Sequence, residues 1–232
     1  MSFHQTISRI ICAATGRSVR VNYNVPAHIF LAYLVQQSLA LARGVIVQLS
    51  RGRKPKLMFL SGGARIRGLS QLSFGSCLRL GMGSKIVCWS KSGITIGRDF
   101  SLGENSSISN GFNPFGDIGI VLIGSNVGIG GHSFICCPSS LSIGDNTITG
   151  QYLSIHPQNH VFSDIGTPIR LQGTTSRGVH IGANCWIGAK VTILDGVTLG
   201  TGSIIAAGAV VTQSFPDRSI IGGVPAKIIG KR

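Results

Sequence analysis

Acidic residues are nearly absent from this 232-residue chain: seven Asp and Glu stand against 21 Lys and Arg, and Glu104 is the single glutamate. Any reaction that needs a general base therefore draws on few candidates, six Asp, one Glu and six His. Aromatic residues make up only 6% and no nucleic-acid-binding motif occurs, so a net charge of +14 does not read as nucleic-acid binding. It reads as attraction to other polyanions, such as the phosphates of a ligand, an acidic membrane or an acidic glycan. No C-x-x-C pair exists among Cys12, Cys77, Cys88, Cys136, Cys137 and Cys185, which leaves zinc and thioredoxin-like chemistry without support. Those thiols read as reduced core residues. The chain does not open on an uninterrupted apolar stretch with a cleavage site, so no signal peptide is expected and the cytoplasm is the default compartment.

What the chain does have is a period of six. From Ile181 to Thr212 an aliphatic residue recurs without a slip at Ile181, Ile187, Ile193, Leu199, Ile205 and Val211. Neither the helical period of 3.6 nor plain strand alternation produces this spacing. A coil of short parallel strands does, with one hexad per flat face and three faces per turn. The same phase runs backwards through Ile143, Thr149 and Ile155, through Ile123, Ile129 and Ile135, and through Ile96, Leu102 and Ile108. It ends in a degenerate start at Phe74, Leu80 and Ile86, giving 18 positions, or about six turns. Four residues are inserted before Ile96, nine before Ile123, two before Ile143 and twenty between Ile155 and Ile181. Such insertions become corner loops on the binding face. The longest, residues 156–180, is the expected active-site loop.

Residues 1–70 lie outside this pattern and are expected to form a separate N-terminal segment, with the coil over 71–232. A helix is expected at about 28–48, after Pro26, followed by the basic run Arg51, Arg53, Lys54 and Lys56. Gln36, Gln37 and Arg43 argue against a transmembrane span. The readings left open are a helix capping the open coil end, a packing arm between subunits, and an in-plane helix meeting anionic lipid at the inner face of the membrane.

The IG-x-N/D-x-x-IG repeats, the NHVFSD segment at 159–164, the run WIGAKVTILDGVT and the closing GGVPAKIIGKR together resemble the hexapeptide-repeat acyltransferases. Within them the chain is most similar to the maltose, galactoside and xenobiotic acetyltransferase branch, with the O-acetyltransferases of bacterial polysaccharide synthesis. The resemblance covers roughly residues 74 to 232. It implies an all-β fold, a left-handed parallel β-helix that departs from the right-handed crossover rule. It also implies a homotrimer with active sites between neighbouring coils, acetyl-CoA as donor without a metal, and a glycan acceptor.

The implied reaction is direct transfer of an acetyl group to a sugar hydroxyl of a polysaccharide, lipid-linked glycan or nucleotide sugar. The resemblance makes His160 the general base, with His156 as its rival and Asp164 as an orienter of the imidazole. His132 and Asn159 are implied to contact the acceptor. Trp186, Gly188, Ala189, Ala207, Thr212 and Lys227 match the positions that border coenzyme A. Two departures stand out: Gln213 replaces a common Lys, and Ala189 stands where some relatives carry a Ser suited to an oxyanion. Cys185 sits at a core position two residues before Ile187, which argues against a covalent acyl-enzyme. The alternatives are N-acetylation of an amino sugar with the same base, a silent β-helix scaffold, and a zinc enzyme that would need His132, His156 and His160 together.

Overall fold

The computed structural model describes residues 25–91 and 93–232. The polar opening through Asn24, with His4 and Cys12, lies outside the described residues. Among the described residues one α-helix, α1 (Ala27–Leu49), precedes a stack of short strands. The described strands form three faces of nine, seven and six strands, parallel except for the antiparallel strand Ala226–Lys231 that ends the first, and a separate two-stranded ribbon. The chain visits faces 1, 2 and 3 in turn, so each circuit adds one rung to each face. The fold is a parallel β-helix.

Register explains the period. On face 1 Leu60 pairs with Leu80 and Leu80 with Leu102. On face 2 Ile135 pairs with Ile155 and Ile155 with Ile193, and on face 3 Ile123, Ile143 and Ile181 stand in line. These side chains are 0–3% exposed and make one continuous core. Hexad residues face inward because strand side chains alternate, the hexad residue being the middle one in a face 2 strand such as Lys85–Val87 and the last one in a face 1 or face 3 strand such as Leu78–Leu80 or Ile94–Ile96. The first rung is Met58–Leu60, so two hexad positions, Leu60 and Ile66, precede Phe74.

Every inserted stretch leaves face 2 and returns on face 3. The corner segments 88–91, 110–119, 137–139 and 157–178 are stacked along one edge, whereas the other two edges keep short, regular turns. A loop on this edge therefore lengthens without breaking a ladder. A hydrogen bond ties neighbouring loops, Ser139 Oγ donating to the Pro157 carbonyl at 2.9 Å, and another, from Gln158 Nε2 to Thr174 Oγ1 at 3.0 Å, braces the longest loop internally.

The chain divides into two compact units, Met1–Leu39 and Ala40–Arg232. In the first, Ile29, Leu31, Tyr33 and Val35 of α1 are exposed. At 23 residues α1 is long and apolar enough to cross a membrane. In the second unit its last turns are built into the coil. Ala40, Gly44 and Gln48 are buried, and the Gln48 side chain both donates to the Lys56 carbonyl and accepts from the Lys56 N–H. Arg53 and Lys56 of the basic run donate to the carbonyls of Leu69 and Phe74. These contacts satisfy the open end of the stack, where strand carbonyls lack a preceding rung.

Candidate active site

The outer side of face 2 is built from pairs of residues that flank each inward hexad residue. In the strand Ser154–His156, Ile155 points to the core and Ser154 and His156 point out. His156 Nε2 lies 2.7 Å from Ser154 Oγ, and its ring is 6.4 Å from that of Phe134 on the previous rung. If Nε2 donates to Ser154, Nδ1 is left with its lone pair free to accept a proton. The arrangement thus gives an exposed imidazole on a rigid strand, held by a neighbour that the sequence reading did not single out. Ser154 is visible only once strand alternation places it beside His156.

His160 sits further out. It lies with Asn159 on the short ribbon, where Asn159 pairs with Thr175 and His160 with Thr174, and both are exposed. Asp164 spends its carboxylate on its own turn, accepting from Gly166 N at 2.8 Å and from Thr167 Oγ1 at 2.7 Å. Those bonds hold its carboxyl below the usual range. His132 occupies the corner between faces 1 and 2 in a left-handed conformation, φ 57°, at the position held by Asn105 one turn earlier and Tyr152 one turn later. It stacks on Tyr152 at 5.1 Å, and its Nε2 is 3.8 Å from Glu104. Within one chain His132 and His160 therefore stand on different edges. His180, on the outer side of face 3, is bonded to Ser142 Oγ.

Most of the residues matched to coenzyme A gather on another edge. Trp186 projects from the outer side of face 1, 55% exposed, between Ile148 and Ile204 on the neighbouring rungs. Ala189 and Ala207 follow at the corner between faces 1 and 2. Gly188 beside them answers to the coil itself: a Cβ there would lie 2.5 Å from Ala207 N. Lys227 is exposed on the last strand, Ala226–Lys231, which closes face 1. Thr212, also exposed, lies across face 2. Ala189 lies in the turn before the face 2 strand Thr192–Leu194, whose far end, Leu194, is the rung neighbour of His156. The donor edge and the histidines are thus a full face apart in one chain.

Residues 178–213 match the family model described as bacterial transferase hexapeptide (six repeats). Over 140 residues the chain is 32% identical to the putative lipopolysaccharide biosynthesis O-acetyl transferase WbbJ of Escherichia coli K12, a match spanning 56% of this chain and 71% of that protein. The chain belongs to the hexapeptide-repeat acyltransferases. It is also 33% identical over 139 residues to the probable acetyltransferase Rv3034c of Mycobacterium tuberculosis, covering 60% of this chain but only 44% of that longer protein. Among solved structures, the polySia-specific acetyltransferase NeuO superposes with a TM-score of 0.50 at 19% identity, over 74% of this chain and 83% of that one. That likeness is one of fold, and the coil is accordingly the left-handed β-helix of the family.

The buried thiols of this acyltransferase are poor nucleophiles. Burial pushes Cys136 and Cys137 up to about 11, and raises Cys185 as well. Near neutral pH all three stay protonated. An unfolded chain releases these protons near 9, whereas the folded one keeps the two on Cys136 and Cys137 to about 11. Their contribution to stability is therefore complete below pH 9 and is lost as the pH rises to 11. The urea midpoint should fall across that window, and fall less in a Cys136→Ser/Cys137→Ser double variant. Equal slopes in the two proteins would contradict the assignment.

Proposed function

We propose that this protein transfers an acetyl group from acetyl-CoA to a hydroxyl of a glycan or glycan precursor. Transfer is direct, in a ternary complex. A histidine on face 2 takes the hydroxyl proton, the oxygen attacks the thioester carbonyl, and coenzyme A leaves as the thiol. The observation that carries this reading is His156, an exposed imidazole on a rigid strand whose Nε2 meets Ser154 Oγ at 2.7 Å. We assign it as base ahead of His160, because His160 hangs from a ribbon whose exposed residues fix no ring nitrogen. The similarity to a lipopolysaccharide O-acetyl transferase supports a glycan acceptor.

Coenzyme A lies along the edge marked by Trp186, Gly188, Ala189 and Ala207, with Lys227 at its end on the closing strand and Thr212 a face away, on the histidine side. A thioester at that edge and a base a face away meet most simply between copies. The donor edge of one coil faces the histidine side of the next, in a homotrimer. Ala189 carries no hydroxyl, so the oxyanion is met by a backbone N–H or a water.

Calorimetric titration with acetyl-CoA and coenzyme A tests the donor. Micromolar binding is expected, weakened about tenfold or more in Trp186→Ala, since a half-exposed indole supplies a large apolar contact. Absence of binding by the intact protein would favour a silent scaffold instead. Sedimentation of the same sample tests the trimer.

A further inference from the structure

Running down the outer side of face 2, away from His156, is an open groove of about 590 Å3. It is made from four successive rungs. Register places Phe134 over Ser107, Ser107 over Lys85 and Lys85 over Arg65, and in the adjacent column Cys136 over Ser109, Ser109 over Val87 and Val87 over Arg67. Its upper end touches the proposed base through Phe134. Its lower end carries Arg65, Arg67 and Lys85, all exposed. No Asp or Glu is among the described residues that line it. Between the two ends lie Trp89 and Phe112, and Trp89 is held by its indole N–H, 3.0 Å from the Gly111 carbonyl, and by its backbone N–H, 2.8 Å from Asn110 Oδ1.

We propose that this groove is the acceptor subsite and that the acceptor is a sugar carried on a phosphate or diphosphate. The proposal rests on the transferase reading above. Three cations on two adjacent rungs, with no carboxylate among the lining residues, match a ligand bearing more than one negative charge. Two of them are Arg, whose planar fork suits phosphate oxygens better than a single point charge does. A lone sugar carboxylate would leave at least one of these cations unanswered. The aromatic stretch above offers Trp89, Phe112 and Phe134 as flat apolar surface for a sugar ring.

The spacing fits. Lys85 lies three rungs below the Ser154–His156 strand and Arg65 four, which is about 14 Å and about 19 Å. One or two sugar rings fill that interval, with a hydroxyl at His156 and the phosphate at the cations. Inward hexads leave face 2 free to vary outside. The outward pair Arg65/Arg67 and the single Lys85 therefore fill no inward position of the coil. That distinguishes them from Arg53 and Lys56, whose side chains donate to coil carbonyls.

The test separates this proposal from the reaction on which it rests. Binding is measured by calorimetry with inorganic pyrophosphate, UDP-N-acetylglucosamine, a short prenyl-diphosphate-linked N-acetylglucosamine, methyl N-acetylglucosaminide and glucuronic acid, and acetyl-CoA binding is measured separately. Pyrophosphate and at least one diphosphate sugar should bind at least about tenfold more tightly than the neutral glycoside and the uronic acid. That advantage should vanish in Arg65→Gln/Arg67→Gln/Lys85→Gln while acetyl-CoA affinity holds. A control of equal charge change, Lys54→Gln/Arg98→Gln/Arg218→Gln, should keep it, which rules out net charge as the cause. The fold of each variant is checked by its melting temperature, and single substitutions replace the triple one if it unfolds. Tighter binding of the nucleotide sugar names a soluble donor-type precursor, and tighter binding of the prenyl compound names a lipid carrier. Equal binding of neutral and diphosphate ligands, or a preference untouched by the triple variant, overturns the proposal. Loss of acetyl-CoA binding by the wild type would instead overturn the transferase reading.

Discussion

His156→Ala is expected to lower the turnover of acetyl transfer by about 10²–10³-fold while coenzyme A affinity stays unchanged. General-base assistance is worth roughly 10²–10⁴ in rate, and positioning supplies much of the remainder. The variant removes only an exposed side chain from a strand whose core residue, Ile155, is untouched, so the fold and the donor edge survive. Ser154→Ala should have a smaller effect, about tenfold, and should also move the pH–rate profile, because Ser154 acts through the imidazole by fixing its tautomer. A packing role alone would leave that profile in place. His160→Ala should cost less than His156→Ala, since its ribbon holds it by backbone pairing and not by its ring. If the order of the two histidine variants is reversed, the base belongs to the ribbon and the NHVFSD segment outranks strand geometry.

That contrast shows where sequence reading reaches and where it stops. A six-residue period is a local signal, because one inward aliphatic per rung is what a closed triangular coil demands. All 18 positions from Phe74 onward hold their places in the three faces. The rung before them was hidden. Leu60 and Ile66 keep the spacing, but Arg65 and Arg67 flank Ile66 with charge and Gly62 and Gly63 fill the corner, so the hexad looks like part of a basic linker. His132 was singled out by the resemblance as an acceptor contact, and the structure places it at a corner that accepts Gly, Asn, His, Tyr or Lys in a left-handed turn. The groove was invisible for a different reason. Its lining spans residues 63 to 136, and only the stacking of rungs brings Arg65, Lys85, Ser107 and Phe134 into one column. No linear motif records a column whose members lie twenty or more residues apart.

Gly44→Val is expected to destabilise the protein by at least about 1–3 kcal/mol, the range of overpacking in a filled core. A Cβ at position 44 would lie 1.9 Å from the Met58 carbonyl oxygen and 2.8 Å from its carbon, contacts that only a shift of the whole helix end relieves. Intrinsic propensity works the other way, since Val is better in a helix than Gly by a few tenths of a kcal/mol. The sign of the result therefore reports the contact and not the helix. More than a clash is at stake. If the end of α1 lifts away, Gln48 loses both bonds to Lys56, and the first rung's buried Met58 and Leu60 meet water. Each buried aliphatic contributes about 1.5–3 kcal/mol when it is withdrawn from solvent. The coil is a stack in which each rung is held by its neighbours, so an uncovered first rung frays and exposes the edge of the next. Gly62→Ala is the control: nothing lies within 4 Å of its Cβ and its backbone lies outside the left-handed region, so its urea midpoint should match the wild type within about 0.5 kcal/mol. A Gly44→Val midpoint equal to that of Gly62→Ala would mean that α1 does not close the coil. A fall confined to Gly44→Val would mean that the helix end is a structural part of the enzyme, whatever its exposed first half meets.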